Sequence, residues 1–370
     1  MKKLIPDGIS DFKTLIENNY YYVDKTPFIS EIGKNVGKTL LFTRPRRFGK
    51  TLNMSMLKYF FDVRESEKNK ELFKNLKIAK SPYFKEQGKY PVIFISMKDI
   101  KEMSMEKCEE QLKDITANLF RKYSDIINSL NEFDREDFIN ICRKDFSKIA
   151  LGNSLKFLSK SLYEHYKKKI IVLIDEYDTP LVSAYRYGYY KEAKNFFSGF
   201  YGSVLKDNTV LQVGVITGIF SELNNLSEHS ILDKEYDEYF GFLETEIKEA
   251  LKYYETDFKL EEIHSWYNGY KFGDKKVYNP WSILKFLSEK ELKSYWIDTS
   301  DNYLIKDILK EADEETFEKL NKLLFGEKIE EEITGKSTLQ EILEAHDLWE
   351  LLLFSGYLTI DKKTEENIYS

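Results

Sequence analysis

Four apolar, β-branched runs dominate the N-terminal part of this chain, and they do not follow the strict polar/apolar alternation of a half-exposed strand: Thr39–Thr43 (TLLFT), Tyr90–Ser96 (YPVIFIS), Ile170–Ile174 (IIVLI) and Val210–Thr217 (VLQVGVIT). A strand exposed on one face alternates; a continuous run is buried on both, as in a parallel sheet covered by helices. Between these runs, residues 51–61, 101–124, 153–168 and 186–206 read as helices. Strand and helix in alternation predict an α/β domain. Beyond about residue 240 the pattern becomes charged and amphipathic, with helices expected at 245–254, 281–289, 301–311 and 339–354. The expected organisation is an α/β domain over 1–240 and a mainly helical lid or C-terminal domain over 241–370.

Composition narrows the class. With 26 Phe and 26 Tyr, the 370 residues can bury a large core. Cys108 and Cys142 are the two cysteines, which excludes a disulfide framework or a Cys-rich metal site and points to a reducing cytoplasm. The opening MKKLIPDGISDF has no apolar h-region, and the longest uncharged stretch, Asn208 to Ser221, is too short to cross a bilayer of roughly 30 Å as a helix. No membrane association is expected. The four histidines, at 165, 229, 264 and 346, lack paired metal spacing and read as structural.

Charge is unevenly placed. The net −7 divides into +5 over residues 1–240 and −12 over 241–370, which argues against general nucleic-acid binding while leaving room for a local basic groove. Eight arginines stand against 48 lysines, and three of the eight, Arg44, Arg46 and Arg47, fall within four residues. A guanidinium offers planar, bidentate recognition of phosphate that an ammonium does not.

Those arginines belong to the main chemical signal, Arg44-Pro-Arg-Arg-Phe-Gly-Lys-Thr51, set between the first strand and a helix. In a P-loop, backbone amides and the helix N-terminus wrap the phosphates, the lysine reaches the β and γ oxygens, and the following hydroxyl binds Mg²⁺. Arg46, Arg47, Phe48, Gly49, Lys50 and Thr51 are therefore candidate nucleotide-binding residues, together with Arg44. The motif departs from GxxxxGK[ST] at Arg44, where the pattern asks for glycine. A second Gly-Lys-Thr, at 37–39, precedes the strand and is a decoy.

The third apolar run ends in Asp175-Glu176, and strand C-termini line the ligand crevice of open α/β sheets. In a P-loop enzyme the first carboxylate holds Mg²⁺ and the glutamate orients or deprotonates the attacking water. Asp175 is thus the expected metal carboxylate and Glu176, with Lys50, the expected catalytic pair. The neighbouring glutamate further predicts an extra strand between the two motif strands. Val210–Thr217 is the candidate, with Thr217 near the γ-phosphate as a polar sensor or as a hydroxyl satisfying backbone.

The chain resembles the bacterial AAA-ATPase-like proteins, whose longer members often carry a PD-(D/E)XK nuclease-like domain at the C-terminus. The resemblance rests on YYVDKTPFI at 21–29, LLFTRPRRFGKT at 40–51, VLIDEYDTPL at 172–181, LNNL at 223–226, FGF at 240–242, WYNGYKFG at 266–273, VYNPWSIL at 277–284, YWIDTS at 295–300 and LLLFSGYLTI at 351–360. It implies a P-loop NTPase of the ASCE type with a mainly parallel sheet, ATP and Mg²⁺ as ligands, Lys50 and Thr51 on phosphate and metal, and Asp175 and Glu176 as the metal and water carboxylates. In this family Arg44 is the expected residue. Thr217-Gly218-Ile219 runs directly into Phe220-Ser221, shorter than the family pattern. Further partners consistent with the reading are a second copy of the chain, a nuclease-like domain or nucleic acid. Glu-x-Lys occurs at 192–194 and 291–293 in lysine-rich helical segments, and no nuclease activity is read from it. Asp24 and Lys25 suit either a nucleotide contact or an N-terminal clasp, and Trp266–Tyr270 with Asn279-Pro280-Trp281 either a lid on the base or aromatic packing.

Overall fold

A computed structural model describes residues 2–223, 226–267, 269–295, 303–310, 312–335, 337–345, 347–365 and 367–370. Met1, Asn224, Asn225, Asn268, residues 296–302, Glu311, Lys336, His346 and Glu366 lie outside the described residues, and with them parts of the LNNL, WYNGYKFG and YWIDTS motifs.

The apolar runs form strands β1 (Thr39–Thr43), β2 (Val92–Ser96), β3 (Ile170–Asp175) and β4 (Leu211–Gly218), joined by a short β5 (Ser227–His229). They make one sheet in the order β2-β3-β4-β1-β5, parallel at every pairing. β4 therefore separates β1 from β3, as the glutamate after Asp175 predicted. Successive side chains of a strand point to opposite faces, and the two faces fill separate cores. Leu41, Ile93, Ile95, Ile170, Val172, Ile174 and Ile216 pack under the helices Met105–Arg121, Lys148–Tyr166 and Tyr190–Leu205. Leu40, Phe42, Ile171, Leu173, Val213 and Val215 face the helix Lys50–Phe61 and the N-terminal Phe12, Phe28 and Ile32. This double covering explains why the runs lack alternation.

Boundaries differ in places. The helix expected over 186–206 is Tyr190–Leu205, and a separate helix, Thr179–Arg186, precedes it, with Gly188 taking a left-handed φ of 81° between the two. The stretch 339–354 splits into Leu339–Glu344 and Leu348–Ser355.

The C-terminal part is mostly helical. It also holds two small antiparallel sheets, one of β6 (Phe242–Leu243), β7 (Tyr270–Phe272) and β8 (Lys275–Tyr278), the other of β9 (Glu331–Glu332), β10 (Lys363–Glu365) and β11 (Ile368–Tyr369). Residues 247–287 have a hydrophobic cluster of their own, whereas Leu304, Ile308, Leu339, Ile342 and Leu351 join the core under the parallel sheet. No helix among the described residues is long and apolar enough to cross a membrane.

Candidate functional site

The loop after β1 turns without a glycine at its first position because the turn is made later. Arg44 N–H donates to Gly218 O over 3.0 Å and so continues the hydrogen bonding between β1 and β4. The left-handed conformations fall at Arg47 (φ 68°) and Gly49 (φ 83°), the latter directly before the helix Lys50–Phe61. Glycine meets that requirement at 49 without strain; Arg47 meets it as a non-glycine residue and must be held there by its surroundings. Its guanidinium lies 4.1 Å from the centroid of the Trp281 ring.

Beneath the loop, residues distant in sequence form the support. Phe48 is buried against Tyr270 and Phe272, each 5.0 Å away between centroids, and its carbonyl accepts from Gly241 N–H at 3.2 Å. A Cβ on Gly241, whose φ is 90°, would stand 3.0 Å from the Phe48 ring. The FGF and WYNGYKFG motifs are thus buttresses of the loop.

Arg44 differs most from expectation. Its guanidinium does not face the cavities beside the loop: it is fully buried, donates to Thr43 O (2.9 Å) and His229 O (2.6 Å), and sits 5.0 Å from the Phe240 ring and 5.5 Å from that of Phe272. Burial pushes it down to about 10, against the opposing pull of Asp233 and Asp237. Arg46 and Arg47 do line the cavity beside the loop.

Lys50 Nζ donates to Arg44 O (2.7 Å) and Pro45 O (2.9 Å), two carbonyls of the loop itself. Burial lowers its affinity for the proton, partly offset by Glu176, Asp178 and Asp175. Thr51 Oγ1 donates to Asp175 Oδ2 over 2.9 Å, and Thr217 Oγ1 to Asp175 Oδ1 over 2.6 Å. Asp175 has no exposed surface, and burial raises its carboxyl above the ordinary range; the Thr217 and Thr51 hydroxyls and Lys50 oppose that shift, while Glu176 adds to it. Glu176 adopts a left-handed φ of 52° and lines the cavities on both sides of the loop. Lys50, Thr51, Asp175, Glu176 and Thr217 are therefore brought together.

The Asp-Glu-Tyr-Asp run does more than supply two carboxylates. Asp178 accepts from Ile219 N–H (2.6 Å) and Phe220 N–H (3.0 Å), Tyr177 Oη donates to Phe220 O (2.8 Å), and Glu222 N–H donates to Tyr177 Oη (2.7 Å). The short segment after β4 is consequently pinned to the strand end that carries Glu176. Gly218 permits it, since a Cβ there would meet Tyr177 Cε1 at 2.6 Å.

Two cavities flank the loop. One, of about 470 Å³, is lined by Arg46, Arg47, Lys50, Glu176 and Asp178, and beyond them by Lys101, Arg186 and Tyr303. The other, of about 290 Å³, is more apolar and lies among Ile9, Tyr21, Val23, Gly49, Trp281 and Leu284. Lys101 and Arg186 belong to none of the sequence motifs. Asp24 accepts from Thr26 N–H and Lys77 N–H, while Lys25 Nζ bonds Glu246 at 2.7 Å and Glu238 O at 2.7 Å, and Lys25 also lines the more apolar cavity. No group of three or more His, Cys, Asp or Glu side chains suited to a metal occurs among the described residues.

A parallel sheet in this order, with a Gly-Lys-Thr loop after β1 and paired carboxylates after β3, defines a P-loop NTPase fold. The chain belongs to the family described as "Predicted AAA-ATPase", which matches residues 6–225. It is also 27% identical over 375 residues to the "Uncharacterized protein in vnfD 5'region" of Azotobacter chroococcum mcd 1, across 97% of this chain and 64% of that protein. The chain thus spans just under two thirds of the length of that curated relative.

Proposed function

We propose that this protein binds ATP with Mg²⁺ at the loop of residues 46–51 and hydrolyses it as a regulatory or motor-like module. The observation that carries the reading is the 2.9 Å bond between Thr51 Oγ1 and Asp175 Oδ2, which places the two expected metal-binding oxygens together beside Lys50. Hard oxygen donors from one carboxylate and one hydroxyl, completed by substrate phosphates and water, suit Mg²⁺. Thr51 and Asp175 would hold the ion, which when bound neutralises charge on the phosphates. Lys50 releases its two loop carbonyls to engage the β and γ oxygens, and Glu176 takes the proton of the attacking water. The more apolar cavity under Trp281 suits the base, with Arg47 held between the phosphates and that ring.

The pinned segment after Gly218 supports a second reading, a nucleotide-stabilised scaffold with little turnover. Purified full-length protein with Mg²⁺ and ATP separates them. Turnover that disappears in Glu176→Gln, while nucleotide-dependent stabilisation persists, supports the ATPase; stabilisation without turnover in the wild type supports the scaffold. Homo-oligomerisation, a nuclease-like partner and nucleic acid belong to the same proposal, with salt-dependent DNA and RNA binding the test of the last.

A further inference from the structure

We infer that Asn53 selects the base, its side-chain oxygen accepting from the exocyclic amine of a 6-aminopurine. This deepens the ATP reading and rests on it.

Asn53 belongs to the first turn of the helix Lys50–Phe61. Its N–H donates to Gly49 O over 3.0 Å, and it follows Lys50 by three residues, about 4.5 Å along the axis. The helix itself therefore fixes its place relative to the phosphate loop. The residue is 4% exposed and lines the more apolar cavity together with Gly49, Thr51 and Trp281.

Its Nδ2 donates to Tyr239 O over 3.0 Å. A carbonyl accepts and does not donate, so this bond settles which end of the carboxamide carries the protons and makes the other end an acceptor. That acceptor, Oδ1, receives no hydrogen bond among the described residues. A buried amide oxygen left this way is unfavourable until water or a ligand completes it. The group is also held firmly: Tyr239 lies two residues before Gly241, whose N–H donates to Phe48 O at 3.2 Å, so the carboxamide is anchored to the segment that buttresses the loop.

Two other polar side chains of the cavity are already engaged. Lys25 Nζ is bonded to both Glu246 oxygens and to Glu238 O, each at 2.7 Å, and Tyr22 Oη donates to Met56 Sδ and accepts from Lys25 N–H, each at 3.2 Å. A mostly apolar cavity with one placed polar group orients its ligand through that group. Adenine offers such an oxygen its 6-amino donor. Guanine and hypoxanthine carry a 6-oxo acceptor at the same position, and two facing acceptors leave both unpaired.

The test measures the affinity of the full chain, with Mg²⁺, for ATP, for purine riboside 5′-triphosphate (hydrogen in place of the 6-amino group), for N6,N6-dimethyl-ATP, for ITP and for GTP. Wild type should bind ATP at least about fivefold more tightly than each of the others, the size expected for one lost hydrogen bond. Asn53→Ala should bring ATP and the 6-hydrogen analogue to within about twofold of each other. Loss of the Tyr239 anchor alone would weaken every nucleotide by the same factor and keep the wild-type ratio, so the ratio separates base selection from a structural role. If Asn53→Ala does not fold, the wild-type series decides alone. Wild-type affinity for ATP equal to that for the 6-hydrogen and dimethylated analogues, or an unchanged ratio in Asn53→Ala, overturns the inference and leaves the loop assignment standing. Failure of the wild type to bind any of the nucleotides overturns the loop assignment first, and this inference with it.

Discussion

Thr51 Oγ1 donates to Asp175 Oδ2 across 2.9 Å, joining the first turn of the helix after β1 to the end of β3, 124 positions later. The bond crosses β4, whose Thr217 donates to the other oxygen of the same carboxylate at 2.6 Å. Asp175 is thus fully buried and doubly bonded, yet its charge is desolvated and its carboxyl raised above the usual range.

Asp175→Asn tests that arrangement. A carboxyl raised on folding is a proton-binding site stronger in the native than in the unfolded chain, so its contribution to stability falls as pH rises through the interval between the two values and stays unfavourable above it. Removing the charge should leave the melting temperature at pH 7.5 equal to or above that of wild type. Stabilisation by Mg²⁺ with ATP should vanish. A variant that melts lower and still responds to Mg²⁺ with ATP would count against Asp175 as the metal carboxylate.

Two of the three loop arginines, Arg44 and Arg46, should separate by single lysine replacement. Arg44→Lys removes a buried donor from Thr43 O and His229 O, and a buried polar group left unpaired costs about 1–3 kcal/mol; a lower apo melting temperature with unchanged nucleotide affinity is expected. Arg46→Lys should weaken ATP binding or turnover and leave apo stability alone. Calorimetry and thermal melting on both proteins check the contrast, and a loss of ATP affinity confined to Arg44→Lys would reverse it.

Gly218→Ala places a Cβ 2.6 Å from Tyr177 Cε1 and 3.0 Å from Asp178 Cγ. Both side chains are buried and bonded to the segment after β4, so neither can yield cheaply. Overpacking of this kind typically costs about 1–3 kcal/mol. Urea unfolding should show that loss along with reduced turnover, whereas a neutral substitution would show that the segment is not pinned as described.

Asp62 offers a pH measurement away from the site. Burial pushes its carboxyl up to about 6, against the Arg64 amide bond and the Arg64 and Lys58 charges, from an ordinary value of 3.8. Between those values the folded chain binds more protons than the unfolded one, so this residue's contribution declines as pH rises from about 4 to about 6. Relative to wild type, Asp62→Asn should therefore be more stable at pH 7.5 and should lose that advantage below pH 4. A stability difference that does not change with pH would contradict the shift.

The sheet and the two carboxylates were legible because their signals are local: an apolar run ending in Asp175-Glu176, or one leading into Gly49-Lys50-Thr51, needs no knowledge of the rest of the chain. β4 was legible through the chemistry of its neighbour, since a glutamate after Asp175 implies a strand inserted between β1 and β3. Arg44 was not. Its partners His229, Phe240 and Phe272 arrive from far along the sequence, and a cluster of arginines looks the same whether one of them turns inward or none does. Arg186, on the wall of the cavity beside the loop, gave no signal either, being a single arginine at the end of a short helix with no motif. Tyr177 and Asp178 stood within a recognisable run, but their roles appear only once the end of β4 is folded against them.

The central claim is that Lys50 engages the phosphates of ATP, and nucleotide-dependent melting of wild type and Lys50→Ala tests it most directly. At 100 times the dissociation constant a ligand stabilises its folded target by about 2.7 kcal/mol. The wild type should melt higher with Mg²⁺ and ATP, and Lys50→Ala should show no such rise while keeping its apo fold. Equal shifts in the two proteins would place the nucleotide elsewhere and contradict the assignment of this loop.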